Sequence, residues 1–452
     1  MQRLSTVSLF LSTLLASVGA IVAGDWSRFH GPNGAGIATD EAPTPVQWSP
    51  SENLKWKARL PGPGVSSPIV VGDFVFVTCY SGYGVDRRDP GDQKNLKRHL
   101  VCIDRDTGKT KWDEAVVAVL PEDPYAGAGI PEHGYASHTP VSDGQRVYVF
   151  FGKTGAFAFD MEGTQLWQTS VGTESDPRRW GSASSPILYK NLLIVTASSE
   201  SQAIVALNAE TGDEVWRQEA TGFDGLWGTP TLASVDENRS DLVVGVPYEI
   251  WGLNPDNGKL RWYCEAMETD QFNSSVVVHD GIAYAIEGRR GGSIAVRIGG
   301  KGDVTKTHVV WSGRDRSRFA TPVVHEGLLY FISGGVANCL DAKTGSSVLQ
   351  SRLQDGGSRS EDGGRREDGR RRSGRGGFGG GDYSSPVLAD GKIYYVRANG
   401  ETFVLKADAT CEQIAVNRLT EDRENFSATP AVSNGELFIR SSKHLYCVAN
   451  AK

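Results

Sequence analysis

An all-β ring of eight four-stranded antiparallel blades is the fold this sequence predicts, and three observations lead to it. Residues 182–216, SASSPILYKNLLIVTASSESQAIVALNAETGDEVW, read as four short apolar runs separated by turns, and seven further copies can be laid beside them. Five copies end on Trp112, Trp167, Trp216, Trp262 or Trp311, a few residues past a Gly-containing turn. At one end of the array stands NLKWKARL, residues 53–60, which matches a fourth strand with no first three; at the other, HLYCVAN is a third strand with no fourth. A self-similar period in the forties made of strands alone marks a propeller or a solenoid. The complementary ends select a closed ring, because an open one would leave an unpaired sheet edge.

Within a copy each part has a local reason. The first run opens at Ser67-Pro68, Thr139-Pro140, Ser185-Pro186, Thr229-Pro230, Ser274-Ser275, Thr321-Pro322, Ser385-Pro386 and Thr429-Pro430. A Gly or Asn turn follows in seven of them, then a β-branched and aromatic run such as FVFVT, VYVFF or KIYYV. The third run ends in CIDRDTG, AFDMEG, ALNAETG, GLNPDNG or CLDAKTG. Asp and Asn bond their own backbone and Gly takes positive φ, so each string is a hairpin turn.

Ahead of the ring, residues 1–23 have a positive start, an apolar run and small residues suited to cleavage, the pattern of a secretory signal peptide. The first cysteine is Cys79, so no lipid-accepting cysteine follows the apolar run, and the chain is expected to be exported to a periplasm or outside the cell without a lipid anchor. Residues 24–53, beginning DWSRFHGPNGAG, lack alternation and read as a strap packed outside the ring through Trp26 and Trp48. The propeller proper is then 54–452, with residues 53–60 completing the last blade.

Three insertions break the period, at 81–99, 114–136 and 354–382. Strand direction alternates, so second-to-third and fourth-to-first loops emerge on one rim, and all three decorate the same face. The last is low in complexity, with eight Arg against six acids between 352 and 382 and Phe378 as its one aromatic, so it is expected to be disordered. The formal charge of −7 on 452 residues argues against a chain built around nucleic acid, and nothing after the leader is apolar enough to span a bilayer.

The string of hydrophobic, Asp or Asn, Ala, two variable residues, Gly and then Trp resembles the repeat of the PQQ-like, or quinoprotein, β-propeller family over residues 54–449. In plan the chain is similar to the outer-membrane assembly-factor propeller, without its lipid-anchor cysteine. The resemblance implies either of two functions, since that family holds both quinone-dependent dehydrogenases and non-catalytic binding propellers. Its dehydrogenases carry a vicinal disulfide over the quinone and a calcium ion; no adjacent Cys-Cys pair occurs here.

For chemistry the residues offer little. Phosphate loops, a nucleophile elbow and zinc-type spacings are absent. Candidate binding residues are the lead-ins to the innermost strands, which share the rim with the insertions: His138, Arg178, Arg179, Trp180, Asp224, Trp227, Asp270, Arg316 and Arg318. The competing reading of their aromatics, together with Tyr135, Phe272, Phe319, Tyr383 and Phe426, is packing between blades. His133 and His138 are the one close His pair, and no metal site is expected. Cys102, Cys339 and Cys447 fall where Ala158, Ala206 and Gly252 fall in other copies, a place for a small residue. Cys79 and Cys102 are the pair that could bridge, Cys264 and Cys411 have no evident partner, and few or no disulfides are expected. The expectation is a monomeric, non-catalytic exported scaffold needing no cofactor, binding a protein or small ligand through its insertion-bearing face. The alternative is a periplasmic oxidoreductase using PQQ with calcium.

Overall fold

The computed structural model describes residues 24–127, 129–288, 290–356 and 381–451. The leader and most of the 354–382 insertion lie outside the described residues. Eight antiparallel sheets surround one axis, their innermost strands beginning at Ile69, Val141, Ile187, Thr231, Val277, Val323, Val387 and Ala431; these define blades 1 to 8. Blade 3, the best-preserved copy, consists of Ile187–Tyr189, Leu192–Ala197, Ala203–Asn208 and Glu214–Glu219. Its second strand is buried at all six positions, since both faces of a blade pack on neighbours. In the fourth strand Trp216 alone is buried, because the outer side of the blade meets solvent.

Ring closure follows the expectation. Leu54–Arg59 pairs antiparallel with His444–Val448 and supplies the outer strand of blade 8, whose other strands come from the far end of the chain. The tryptophans join blades. Trp56 donates from Nε1 to the Arg105 carbonyl at 2.7 Å, Trp112 to Met161 at 2.9 Å, Trp167 to Ala209 at 3.0 Å, Trp216 to Pro255 at 3.0 Å and Trp311 to Ala342 at 2.9 Å. Each acceptor lies in the third-to-fourth turn of the next blade, so the indole buries its body and still satisfies its N–H. The small residue expected beneath each indole is there: Cys102 faces Trp112, Ala206 faces Trp216, and Cys447 faces Trp56.

Two departures have visible causes. Blade 4 has a fifth strand, Gly302–Asp303, lent by the longer third-to-fourth connection of blade 5 and running parallel to Trp262 and Tyr263. That blade-5 turn therefore does not receive Trp262, which donates instead to Asp241 Oδ2 of its own blade at 2.7 Å. Blade 7 has Ala415 in the tryptophan position, opposite Val404. Trp48 of the amino-terminal segment packs there, 6.3 Å from the Tyr394 ring, as Trp167 packs 6.1 Å from Tyr148.

Candidate functional site

Residues 25–38 lie across the axis, and here the strap expectation is corrected. Trp26 exchanges backbone hydrogen bonds with Val70 of blade 1, the Ser27 carbonyl accepts from Ser142 of blade 2, and Arg28 Nη2 reaches the Pro230 carbonyl of blade 4 at 3.1 Å. His30 Nε2 lies 3.0 Å from the Pro386 carbonyl of blade 7, and Ala38 donates to Leu388. Gly31 sits at φ +76 against the Trp26 ring, where a Cβ would come within 2.8 Å, so the chain can turn there only as glycine. The Gly- and Pro-rich composition that suggested an irregular strap instead lets the backbone thread a narrow channel. These contacts lie on the turn side of the innermost strands, so the segment plugs the channel from the face opposite the insertions.

Above the plug the channel becomes a blind pocket of about 220 Å³. Phe29 is its contribution from the plug. Around the wall run eight hydroxyls, alternating Ser and Thr: Ser67, Thr139, Ser185, Thr229, Ser275, Thr321, Ser385 and Thr429. Each accepts from the backbone N–H of its counterpart in the preceding blade, at 2.9–3.1 Å, and Ser67 accepts from Thr429 to close the circle. The ring explains why every copy opens on Ser or Thr, and it shifts one alignment: Ser275, not Ser274, is the blade-5 member, with Val276 in the place of Pro. All eight are buried, and among the described residues none donates its hydroxyl proton to another group.

Toward the mouth the walls are aromatic. Trp180 and Trp227 pack with centroids 5.7 Å apart and planes tilted by 39°, and Trp227 Nε1 donates to the Gly181 carbonyl at 2.8 Å. Phe319 and Tyr383 stand 4.5 Å apart on another part of the wall, with the Arg318 guanidinium over Phe319. Gln271 and Asn273 add amides, and the 114–136 insertion adds Glu132 and His133. His133 Nε2 donates to the Trp180 carbonyl at 2.6 Å while Nδ1 faces Ser137 Oγ, and burial lowers its pKa, so the ring is neutral and its proton is fixed on Nε2. Glu132, which pairs with Arg87 at 3.5 Å, and Arg318 place one charge of each sign in the lining.

The expected site residues separate into groups. Trp180, Trp227 and Arg318 line the pocket. Arg178 pairs with Asp224 at 3.6 Å and Asp270 at 3.2 Å, a rim triad that ties together the lead-ins of three blades and does not line the pocket. Arg179 and Arg316 are exposed outside the pocket lining. His138 is buried behind the wall, Nε2 3.1 Å from Ser182 Oγ, Nδ1 without a partner and its pKa lowered to about 3 by burial. Of the remaining aromatics, Tyr135, Phe272 and Phe426 are buried packing residues, whereas Phe319 and Tyr383 reach the pocket. Phe29, Gln271, Asn273 and the hydroxyl ring were not among the candidates; only the recurrent Ser/Thr at each copy's start signalled any of them.

Behind the wall a cavity of about 30 Å³ holds a buried charge cluster. Arg98 pairs with Glu122 at 2.6 Å, and Lys153 lies 3.4 Å from Asp123. Glu200 Oε1 accepts from Ser182 Oγ at 2.6 Å, Oε2 has no partner, and burial raises its pKa to about 7. The 81–99 and 114–136 insertions pack on each other over this cluster through Tyr80, Tyr83, Leu96, Ile130 and Tyr135. Among the described residues no three His, Cys, Asp or Glu side chains are grouped so as to hold a metal ion, and no helix is long and apolar enough to cross a membrane.

Comparison with known proteins bears on the repeat more than on the pocket. A polyvinylalcohol dehydrogenase from Sphingopyxis sp. (strain 113P3) is 25% identical over 271 residues, which cover 49% of this chain and 36% of that protein. The chain thus spans about a third of the length of that relative. Among solved structures, a europium-containing methanol dehydrogenase superposes with a TM-score of 0.63 at 10% identity, covering 95% of this chain and 98% of that one. BamB from Moraxella catarrhalis gives 0.58 at 13%, covering 88% and 97%, and the computationally designed Ika8 protein 0.52 at 11%, covering 87% and 98%. At such identities these structures speak for the fold alone. The family model described as outer membrane protein assembly factor BamB matches residues 93–219 and 162–409, well over half of the sequence and the same repeats that form the blades, and the chain therefore belongs to the PQQ-like β-propeller family.

Proposed function

We propose that this protein is an exported, non-catalytic binding scaffold whose axial pocket, on the insertion-bearing face, takes a small uncharged ligand. The observation that carries this reading is the dead end: the plug turns a through-channel into a pocket with eight hydroxyls around its wall and paired aromatics at its mouth. Because each ring oxygen already accepts from a backbone N–H, its hydroxyl proton is left to donate to a ligand bearing acceptors around its edge. Flat apolar faces on that ligand would lie against Trp180, Trp227, Phe319 and Tyr383, and the near-balance of Glu132 and Arg318 favours neutrality. Exposed insertions on the same rim add a surface on which a protein partner can dock.

The dehydrogenase relative raises quinone chemistry, and the lining residues do not fit that cofactor. PQQ carries three carboxylates, and the pocket offers one guanidinium, Arg318, with Glu132 opposing it. The described residues supply neither a vicinal cysteine pair nor a carboxylate cluster for a divalent cation. Titrating the purified chain with a neutral small-molecule library, read by tryptophan fluorescence, tests the proposal. The expected result is a saturable signal that Trp180→Ala and Trp227→Ala each weaken at least tenfold with the melting temperature unchanged. Equal binding by both variants, or a stoichiometric complex with PQQ and calcium, overturns it.

A further inference from the structure

The joint between blades 6 and 7 departs from the rule that holds five of the eight joints. In five joints a glycine of the receiving turn lies against the indole of the preceding blade: Gly108 on Trp56, Gly163 on Trp112, Gly212 on Trp167, Gly258 on Trp216 and Gly345 on Trp311. A Cβ at any of these glycines would lie 2.5–2.9 Å from the ring, so glycine and tryptophan require each other. Blade 6 has Leu349 in the tryptophan position, opposite Cys339 as Trp216 is opposite Ala206. The receiving turn of blade 7 has Cys411 in the glycine position, at φ 42, a left-handed conformation that a side chain disfavours. Both members of the pair have changed together. Shrinking the indole to Leu349 opens the space that the Cys411 side chain enters.

That side chain points at another thiol. Cys339 and Cys411 belong to one buried cluster that includes Leu349, which stands opposite Cys339, at its edge; the two thiols are each other's nearest titratable neighbour, and the Cys411 S–H lies 3.5 Å from the Asp408 carbonyl. This gives Cys411 the neighbour that the sequence did not show; of the pair that could bridge, Cys79 faces His99 and Cys102 faces Phe76. The neighbouring Cys411 thiol lowers the Cys339 pKa, making Cys339 the readier thiolate of the two.

We propose that Cys339 and Cys411 form a disulfide that fastens blade 6 to blade 7. Two S–H bonds are broken and one S–S bond is made; the two electrons and two protons pass to a disulfide-class oxidant of the exported compartment, which leaves as a dithiol. The Cys339 thiolate attacks the oxidant, and the Cys411 thiolate then displaces it from the mixed disulfide. Both sulfurs are buried in the folded chain, so exchange takes place as the two blades dock. The bond replaces the Trp-to-carbonyl hydrogen bond that this joint lacks and offsets the strained turn.

The test uses the full chain exported to an oxidising compartment, denatured and alkylated with and without prior reduction, then mapped by peptide mass spectrometry. The expected result is one linkage, between the peptides carrying Cys339 and Cys411, with the other four cysteines alkylated without reductant. Complete alkylation of all six without reductant, or a linkage between other cysteines, overturns the proposal. Cys411→Gly restores the glycine turn and is expected to melt about 5 °C below the unreduced parent while matching or exceeding the reduced parent. A deficit of the same size in reductant would assign the effect to packing and refute the bond.

Discussion

Replacing Glu200 by Gln should leave stability unchanged in mild acid and raise it above neutral pH. Glu200 is 3% exposed, takes one hydrogen bond from Ser182 and has an oxygen with no partner, so burial disfavours its charge and lifts its pKa from 4.5 to about 7. A carboxyl raised in the folded state binds its proton more tightly there than in the unfolded chain. Stability is therefore lost as pH climbs from 4.5 to 7 and stays lost beyond. At about 1.4 kcal/mol per factor of ten, the ionised group costs the fold about 3 kcal/mol above pH 7. Gln imitates the protonated acid at every pH. Urea unfolding of both proteins should agree within about 0.5 kcal/mol at pH 4.5 and diverge by about 3 kcal/mol at pH 8.5, the variant being the more stable. His138, whose pKa falls to about 3, destabilises both as pH drops below 6.5 and cancels from the difference. A variant destabilised equally at both pH values would show that Glu200 stays ionised, and would refute the reasoning.

Three more outcomes can be measured on the same preparation. Trp56→Ala removes the closing blade's indole and its bond to Arg105, and should cost about 3–5 kcal/mol in unfolding free energy, with aggregation on mild heating. Thr321→Val keeps the shape of one ring hydroxyl but leaves the buried Ser275 N–H without an acceptor, which should lower stability by about 1–3 kcal/mol. Arg179→Glu combined with Arg318→Glu should abolish co-purification of partners from the native host, whereas reversals at Asp106 and Lys109 on the opposite face should not; the converse pattern would place docking on the wrong face.

How much of this was legible in the sequence depended on whether a feature repeats. The eight blades, the closing strand and the small residue under each tryptophan all recur, so periodicity exposed them. The hydroxyl ring recurs too, and the Ser-Pro and Thr-Pro openings were visible as landmarks. Their chemistry was not, because the bonds run between residues 44 to 72 positions apart, and 362 apart at the closing step, whose geometry only a closed circle defines. Trp180 and Trp227 were legible as rim aromatics, while His138, which directly follows the pocket-lining Ser137, was drawn in by proximity and sits behind the wall. Least legible was the amino-terminal segment. Composition marks residues 24–53 as irregular, and whether such a segment runs outside a ring or through it depends on contacts with blades 1, 2, 4 and 7 that no local pattern encodes.

That segment has three tasks, and their combination makes a last prediction. Residues 54–59 complete blade 8, Trp48 fills the tryptophan position that blade 7 lacks, and residues 25–38 close the pocket beneath Phe29. Floor and closure are therefore one continuous stretch, and a ligand resting on the floor acts on the element that holds the ring shut. Binding to the folded state alone stabilises it by about 2.7 kcal/mol at a hundredfold excess over Kd. If floor and closing strand open as a unit, that gain should appear in hydrogen exchange at Trp26 and Val70 and equally along Leu54–Arg59, although the latter lies at the outer edge of a blade. A ligand identified by tryptophan quenching should thus slow exchange in both stretches by similar factors, with blade 3, which shares no strand with this segment, less affected. Slowing confined to residues 25–38 would show that floor and closure open independently, and the coupling would be refuted.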